Sequence, residues 1–295
     1  MATVTAEGTR RVRRKTAIQI VVYILAIVLF VWIIAPFGWI VTMSFMVEDD
    51  IFAGYMYPHT PVTSNYMQML GGKMEVVGQT TASKVLPAIR NSLIICLAVV
   101  AINLTIGTLS GYAFARFRYR ILRWGFLIML LTRMVPPIAI IIPFFVIFKT
   151  LGMLNTYPAL IISYTSFTIP FVAWIMKGYF DTIPTDLDDA GLVDGCNRLQ
   201  VITKIILPIS APGLVASAIF VFLVSWNEFI FAALLTRNIE VQTITVILSL
   251  FVAQYWIEYG VLAAAGILAV IPPVALALLF QRYLVQGLVA GAVKG

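Results

Sequence analysis

Several uninterrupted apolar runs, each about 20 residues long, restrict the fold of this chain more than any other feature of its sequence. A run of that length crosses a bilayer as a helix, because a helix satisfies every backbone polar group within the segment. The mean hydropathy of +0.98 and the 11% of charged residues also differ from those of soluble domains. No alternating ten-residue pattern is present, which argues against a membrane barrel. The sequence therefore predicts an all-α integral membrane protein.

The apolar runs predict six transmembrane helices, at about residues 17–45, 91–114, 124–148, 158–176, 212–235 and 260–280. Prolines at 136, 137 and 143 predict that the third helix is broken or strongly bent. A segment at 236–259 has an apolar middle that either dips into the membrane or lies on the bundle. The predicted parts of the chain are an N-terminal segment 1–16, a transmembrane domain 17–280 and a tail 281–295.

Basic residues indicate the orientation of these helices. Fourteen of the 20 lysines and arginines lie in the N-terminal segment, the loop after the second span, the polar segment 177–212 and the tail. Cytoplasmic loops carry such an excess, so we expect both termini and the segment 177–212 on the cytoplasmic side. Because these basic residues lie beside the apolar runs and set their orientation in the lipid bilayer, the net charge of +7 does not indicate a nucleic-acid partner.

The polar segment 177–212 contains the signals of two short helices. Thr185 and Asp188 have the spacing of a capping box, which predicts a first helix from about Asp186 to Asp194. Gly195 is expected to end it in the left-handed conformation. Asn197 and Gln200 then predict a second capped helix that continues to Pro208. Its predicted apolar face consists of Leu199, Ile202, Ile205 and Ile206.

The spacing inside this helix-turn-helix hairpin resembles the EAA loop of ABC-importer permeases. The matching positions are Asp189-Ala190-Gly191, then Gly195 after three residues, and Ile205-x-Leu207-Pro208 after nine more. The stretches GYAFARFRYR, MVPPIAIIIPFF, LGMLNTYPALII, SWNEF and GLVAGAVKG extend the resemblance to the carbohydrate-uptake branch, whose type member imports maltose. The chain looks like the shorter, six-span partner of a heterodimeric pair. Asp189 replaces the usual Glu, and Gly191 replaces an Ala at a cost of about 1 kcal/mol in helix propensity.

The resemblance implies that the hairpin is a cytoplasmic coupling loop that docks on an ATPase subunit. Its carboxylates at 186, 188 and 189 are expected to face basic residues of that partner. The implied coupling residues are Asp186, Asp188, Asp189, Ala190, Gly191, Asp194, Gly195, Ile205, Leu207 and Pro208.

The resemblance also implies an assembly in a prokaryotic plasma or inner membrane. The partners would be a homologous second permease, two ATPase subunits and an extracytoplasmic sugar-binding protein, and the cargo a di- or oligosaccharide. ATP and Mg would bind to the ATPase subunits, with no cofactor in this chain. The chain has no Walker A sequence or nucleophile elbow, so it is not predicted to be an enzyme.

Two polar sites lie inside predicted spans. Trp226, Asn227 and Glu228 interrupt the fifth span, and Arg133 lies in the third. An ionisable group at membrane depth faces a cavity or a partner. Lining of a translocation path and bonding between helices, for example from Glu228 to Arg133, are both open for Glu228. For Arg133 a path role, a salt bridge and capping of carbonyls near the proline breaks are open.

No metal site is predicted, because His59 has no Cys or His at ligand spacing. Two alternatives to a sugar importer remain. The first is the same kind of importer for a polyol or a glycerol phosphate, since the motifs concern coupling rather than cargo. The second is an ion-coupled secondary transporter, although such proteins usually have more spans in one chain.

Overall fold

A computed structural model of the chain describes residues 2–70, 81–253 and 257–292, and within them the side chains of 15–281 except at position 17. The described residues form helices and no strand, which agrees with the predicted all-α class. The helices are α1 (Ala2–Met43), α2 (Glu48–Phe52), α3 (Ser64–Met67), α4 (Val85–Arg116), α5 (Arg120–Thr132), α6 (Pro137–Thr150), α7 (Tyr157–Phe180), α8 (Asp186–Val193), α9 (Arg198–Gln200), α10 (Leu207–Ile209), α11 (Ala211–Trp226), α12 (Ile230–Leu235), α13 (Ile244–Val252) and α14 (Tyr259–Ala292). A 3-10 turn, Thr81–Lys84, precedes α4, and a π-helical turn, Val201–Ile206, joins α9 to α10.

Four stretches are long and apolar enough to cross a membrane as single helices. They are Ile18–Met43, Thr81–Arg116, Tyr157–Phe180 and Tyr259–Gln281. Two bent pairs raise the number of candidate spans to six: α5 with α6, at an angle of 99°, and Arg198–Ile209 with α11, at 82°. The described residues thus hold between four and six candidate spans.

Proline breaks the third predicted span, as expected. The helix α5 ends at Thr132, and α6 begins at Pro137 because a proline fits the first helical turn but cannot continue a preceding helix. The fifth predicted span, 212–235, was wrong as a continuous helix. It consists of α11, which ends at Trp226, and α12, which begins at Ile230.

The chain divides into two compact units, and the first contains the described residues up to Met67 together with 257–267. The side chain of Asn65 donates from Nδ2 to the carbonyls of Ser44 and Met46, both at 3.0 Å. The Gly260 amide donates to Glu48 Oε1 at 3.0 Å. These bonds connect the end of α1, the turn after it and the start of α14. The most apolar part of α1, by contrast, has no buried residue.

The second unit is built on the close approach of α4 and α7. A β-carbon added at Gly107 would lie 2.7 Å from Val172 Cγ1, and one at Gly111 would lie 2.9 Å from the Ala173 carbonyl oxygen. Glycines four residues apart lie on one face of a helix and allow a second backbone to come close. The helix α11 packs against both α4 and α7.

The apolar segment α13 lies on the beginning of α4. Its first amide, at Ile244, donates to Ser92 Oγ at 2.9 Å. Asn91 Nδ2 donates to the carbonyls of Glu240 and Gln242 at 2.9 and 3.0 Å. The structure therefore shows this segment packed against the bundle.

Candidate functional site

The segment 177–212 folds as a helix-turn-helix hairpin whose turn and second helix follow the sequence signals. Gly195 has φ of 86°, the left-handed conformation expected after α8. Asn197 Oδ1 accepts from the Gln200 amide at 2.9 Å, and Gln200 Oε1 accepts from the Asn197 amide at 2.8 Å. This reciprocal pair confirms the predicted capping box of the second helix.

The predicted Thr185–Asp188 capping box was wrong. Thr185 already has helical backbone angles, and its own carbonyl, not its hydroxyl, accepts from the Asp188 amide at 2.9 Å. The Asp188 side chain is buried and points to the end of α4. The Tyr112 hydroxyl donates to Asp188 Oδ1, and Arg116 Nη2 lies 2.9 Å from Asp188 Oδ2. The expectation that Asp188 faces a partner protein was therefore also wrong.

The outer surface of the hairpin combines carboxylates with apolar side chains. Three other acids of the segment, Asp186, Asp189 and Asp194, are exposed. Beside them, Val193 is 88% exposed and Leu199 is 62% exposed. We call these five residues the hairpin tip. The tip therefore presents both negative charge and apolar area at the outer end of the hairpin.

Leu199 belongs to this tip, although its spacing predicted a place on the apolar face of the second helix. The reason is the π-helical turn that begins at Val201. A π turn bonds residues five apart, so Val201 and Ile206 share one face, and both have no exposed surface. A face centred on these two residues leaves Leu199 outside it.

Gly191 is the residue at which the two helices of the hairpin touch. A β-carbon there would lie 2.6 Å from Ile205 Cδ1 and 3.0 Å from Val201 Cγ2. The glycine is buried, and Ile205 and Leu207 are half-buried, whereas Ala190 and Pro208 are exposed. Glycine in place of the usual alanine at position 191 therefore lowers helix propensity but leaves room for the second helix of the hairpin.

The polar residues of the fifth predicted span have local partners. Trp226 is buried and stacks on Phe222, with 5.4 Å between ring centroids. Glu228 accepts from the amides of Phe231 and Ala232 at 2.9 and 3.2 Å, so its carboxylate caps α12. Among the described residues Glu228 has no ion pair with Arg133, so the structure does not contain this example of the interhelical role that was left open. Asn227 is exposed and donates to the Leu223 carbonyl at 2.8 Å.

Arg133 lies at the bend between α5 and α6. Its Nη1 donates to the Phe167 carbonyl on α7 at 2.6 Å, three residues before Pro170. Its guanidinium also lies 5.6 Å from the centre of the Phe171 ring. Arg133 therefore bonds to a backbone carbonyl of α7, a neighbouring helix, rather than to the carbonyls beside Pro136 and Pro137.

Sequence reasoning missed the two residues that hold the hairpin, Tyr112 and Arg116. Arg116 counted only as part of a basic loop that sets orientation. The available signal was the spacing in GYAFARF, where a tyrosine and an arginine four residues apart share a helix face at the end of an apolar run. Their partner at position 188 is distant in sequence, so the spacing alone could not identify it.

Comparison with known proteins places this architecture in a family. The family described as "binding-protein-dependent transport system inner membrane component" matches residues 103–289. The trehalose/maltose transport system permease protein MalG of Thermococcus litoralis is 37% identical over 287 residues, which cover 96% of this chain and 99% of MalG. The trehalose transport system permease protein SugB of Mycobacterium tuberculosis is 33% identical and covers 88% of this chain and 92% of SugB.

A solved structure supports the fold independently. A chain of a bacterial ABC transporter involved in the import of the acidic polysaccharide alginate superposes with a TM-score of 0.78, at 22% identity, over 92% of this chain and 98% of that one. The family match spans more than half of the sequence, and the described helices fit a multi-pass protein. The chain therefore belongs to the family of inner membrane components of binding-protein-dependent transport systems.

Proposed function

We propose that the chain is the permease subunit of an ATP-driven importer that takes up a di- or oligosaccharide from an external binding protein. The observation that carries the proposal is the hairpin tip, in which Asp189 and Val193 are exposed at the end of a capped two-helix projection. A rigid projection with a charged and apolar end fits docking on a second protein. The similarity to permeases of trehalose and maltose systems supports the class of cargo.

The proposed topology has six spans, with both termini and the hairpin in the cytoplasm. Four spans are single helices, one is the bent pair of α5 and α6, and one consists of α11 with α12. The side chains of residues 1–14 and 282–295, which carry much of the predicted cytoplasmic charge, lie outside the described residues. In the proposed assembly a second permease and two ATPase subunits complete the membrane complex, and the ATPases bind ATP and Mg. Closure of the ATPases draws the hairpins together and opens the path outward, because each state has different contacts with the hairpins.

Co-purification tests the docking role of the hairpin. The tagged chain is expressed in its native host, and the retained proteins are identified by mass spectrometry. The wild-type chain should retain an ATPase subunit, whereas Asp189→Lys should lose at least nine-tenths of it, because the charge at the tip is reversed. Glu240→Lys makes the same charge change at an exposed acid outside the hairpin and should retain the ATPase. Equal retention by all three chains would overturn the docking role.

Uptake by the reconstituted complex tests the cargo. Proteoliposomes that contain the complex, its binding protein and internal ATP are supplied with labelled trehalose, maltose, glycerol 3-phosphate or sorbitol. ATP-dependent uptake of a disaccharide is expected. Uptake of only the phosphate or the polyol would replace the sugar by that cargo, and uptake driven by an ion gradient without ATP would overturn the proposal.

The residues predicted to line the translocation path differ in how exposed their side chains are. Asn227 and Arg133 are exposed in this conformation, whereas Trp226 is covered by its own chain and Glu228 caps α12. In the same proteoliposomes Glu228→Gln should slow uptake. A glutamine side chain is neutral and has a single acceptor oxygen, so it caps the two amides of α12 more weakly than the carboxylate does. Unchanged uptake and assembly would remove both the path role and the structural role from Glu228.

A further inference from the structure

The contact between Asp188, Tyr112 and Arg116 is buried where the hairpin meets the end of α4. The Asp188 and Arg116 side chains are 4% and 7% exposed, and the ion pair between them measures 2.9 Å. The second carboxylate oxygen accepts from the Tyr112 hydroxyl. Neighbouring acids of the same helix, Asp186 and Asp189, are exposed. The hairpin therefore uses one of its acids internally and leaves the others outside.

Arg116 joins this acid to a third helix. Its Nη1 donates to the Phe180 carbonyl at 2.9 Å, and its Nη2 donates to the Ile183 carbonyl at 3.1 Å. Phe180 is the last residue of α7, Arg116 is in the last turn of α4, and Asp188 is in the first turn of α8. The cation thus lies at two helix C-termini and the anion at a helix N-terminus, as the helix dipoles favour.

Stability alone is a weak explanation for such a group. A buried ion pair loses in desolvation much of what it gains in attraction, and apolar side chains of similar volume often stabilise a protein equally well. Directed bonds to two backbone carbonyls and a hydroxyl, however, fix the position of one helix relative to others. Apolar packing would leave the hairpin freer to slide or rotate on the ends of α4 and α7.

We propose that Asp188, Arg116 and Tyr112 are positioning residues that fasten the hairpin to the cytoplasmic ends of α4 and α7, so that a displacement of the hairpin moves both helices with it. The cause of that displacement rests on the proposed function, in which an ATPase subunit moves the hairpin. The fastening itself belongs to this chain alone and is testable without a partner.

Pulsed electron–electron double resonance on the chain in lipid nanodiscs measures how firmly the hairpin is held, through the distance between two spin labels. Spin labels are attached at Val193→Cys on the hairpin and Leu97→Cys on α4, in a Cys96→Ala and Cys196→Ala background. Leu97 and Val193 are both exposed, and Leu97 lies on the order of 28 Å from Arg116 along the helix axis, a span suited to the method. Asp188→Asn and Tyr112→Phe should broaden the distance distribution at least twofold. Asp186→Asn, a matched change on the same helix, should leave it unchanged.

Transport per ATP hydrolysed measures the coupling in the complete complex. Asp188→Asn should retain the ATPase subunits but lower transport per ATP at least tenfold. The pair Asp188→Leu with Arg116→Met separates position from stability, because it fills the site without leaving a buried charge. It should restore the thermal stability that Asp188→Asn loses, but neither the narrow distribution nor the coupling.

Three results would overturn the inference: a distribution for Asp188→Asn as narrow as that of the wild type, equal broadening by Asp186→Asn, or full coupling in the apolar pair. If the wild-type chain retains no ATPase, the proposed function fails and the coupling role fails with it. The spin-label distances still decide whether the hairpin is fastened.

Discussion

Individual residues in the hairpin have roles that depend on what surrounds them rather than on their type. Gly191 shows this most directly. From the sequence it is only a poor helix former, at a cost of about 1 kcal/mol. In the structure it is the point where the first hairpin helix meets Ile205 and Val201. A substitution there gains helix propensity but places a β-carbon against Ile205 and Val201, and the balance of these two free energies decides its effect on stability.

Gly191→Ala should lower the stability of the chain by about 1 kcal/mol, because overpacking of about 1–3 kcal/mol exceeds the propensity gained. Ile205→Val removes the Cδ1 atom that a new β-carbon would meet and should recover most of the loss in the double variant. Thermal unfolding in detergent measures both. Gly178→Ala in α7 is the control, since a β-carbon there meets nothing within 4 Å and should stabilise. A Gly191→Ala variant as stable as Gly178→Ala would contradict the close-contact explanation.

At this scale the sequence predicted what local signals determine. The capping box at Asn197 and the left-handed Gly195 were correct, because both depend on residues within one turn. Asp188 was assigned to a cap and to a partner surface, since its true partners lie 76 and 72 positions away. No spacing rule covers a bond of that sequence separation.

Among the elements, the pair α4 and α7 determines where the hairpin stands. Both helices end at the group around Arg116, and their approach is closest at Gly107 and Gly111. Helices in a membrane have no hydrophobic force of their own to drive association, so close packing of small residues does much of this work. The distance between α4 and α7 therefore depends on Gly107 and Gly111, whose role no local sequence signal indicated.

Gly111→Ala should destabilise the chain by about 1–3 kcal/mol, because the new β-carbon would lie 2.9 Å from the Ala173 carbonyl oxygen, which is backbone and cannot turn away. Gly125→Ala in α5 is matched to it, since nothing lies within 4 Å of that position. The thermal unfolding midpoint of each purified variant measures the difference. Equal midpoints for the two variants would mean that α4 and α7 are not held by this contact.

The apolar runs predicted most of the long helices. Breaks in those helices were predicted only where the sequence contains proline. The bend between α5 and α6 was predicted because Pro136 and Pro137 announce it. The break between α11 and α12 was not, since Asn227 and Glu228 were interpreted as polar residues within a helix. The π turn at Val201 was also unpredicted, because apolar residues are compatible with either winding.

At the scale of the whole molecule, the orientation of the chain across the membrane is predicted from the charges of its loops and does not follow from the geometry of its helices. The excess of basic residues predicts that the hairpin lies in the cytoplasm and the turn around Arg237 outside. These positions lie in different connections, and both are exposed. They can therefore report the orientation by chemical access.

In a background without the native cysteines, Arg237→Cys should react with a membrane-impermeant maleimide on intact spheroplasts. Val193→Cys should react only after the membrane is permeabilised, because the hairpin is expected on the inner side. Gel shift after labelling gives the reacted fraction of each. Reaction of Val193→Cys in intact spheroplasts would reverse the proposed orientation and with it the docking of an ATPase.

The bare surface of α1 has a consequence for how the stability of this protein is measured. No residue in its most apolar stretch is buried by the chain. The denaturant dependence of unfolding scales with the surface that unfolding newly exposes. Melting this helix exposes its backbone and the part of each side chain that its own turns cover, but no surface packed against other helices. An unfolding curve of the isolated chain therefore contains no packing contribution from α1, which only measurements in lipid or in a complete assembly include.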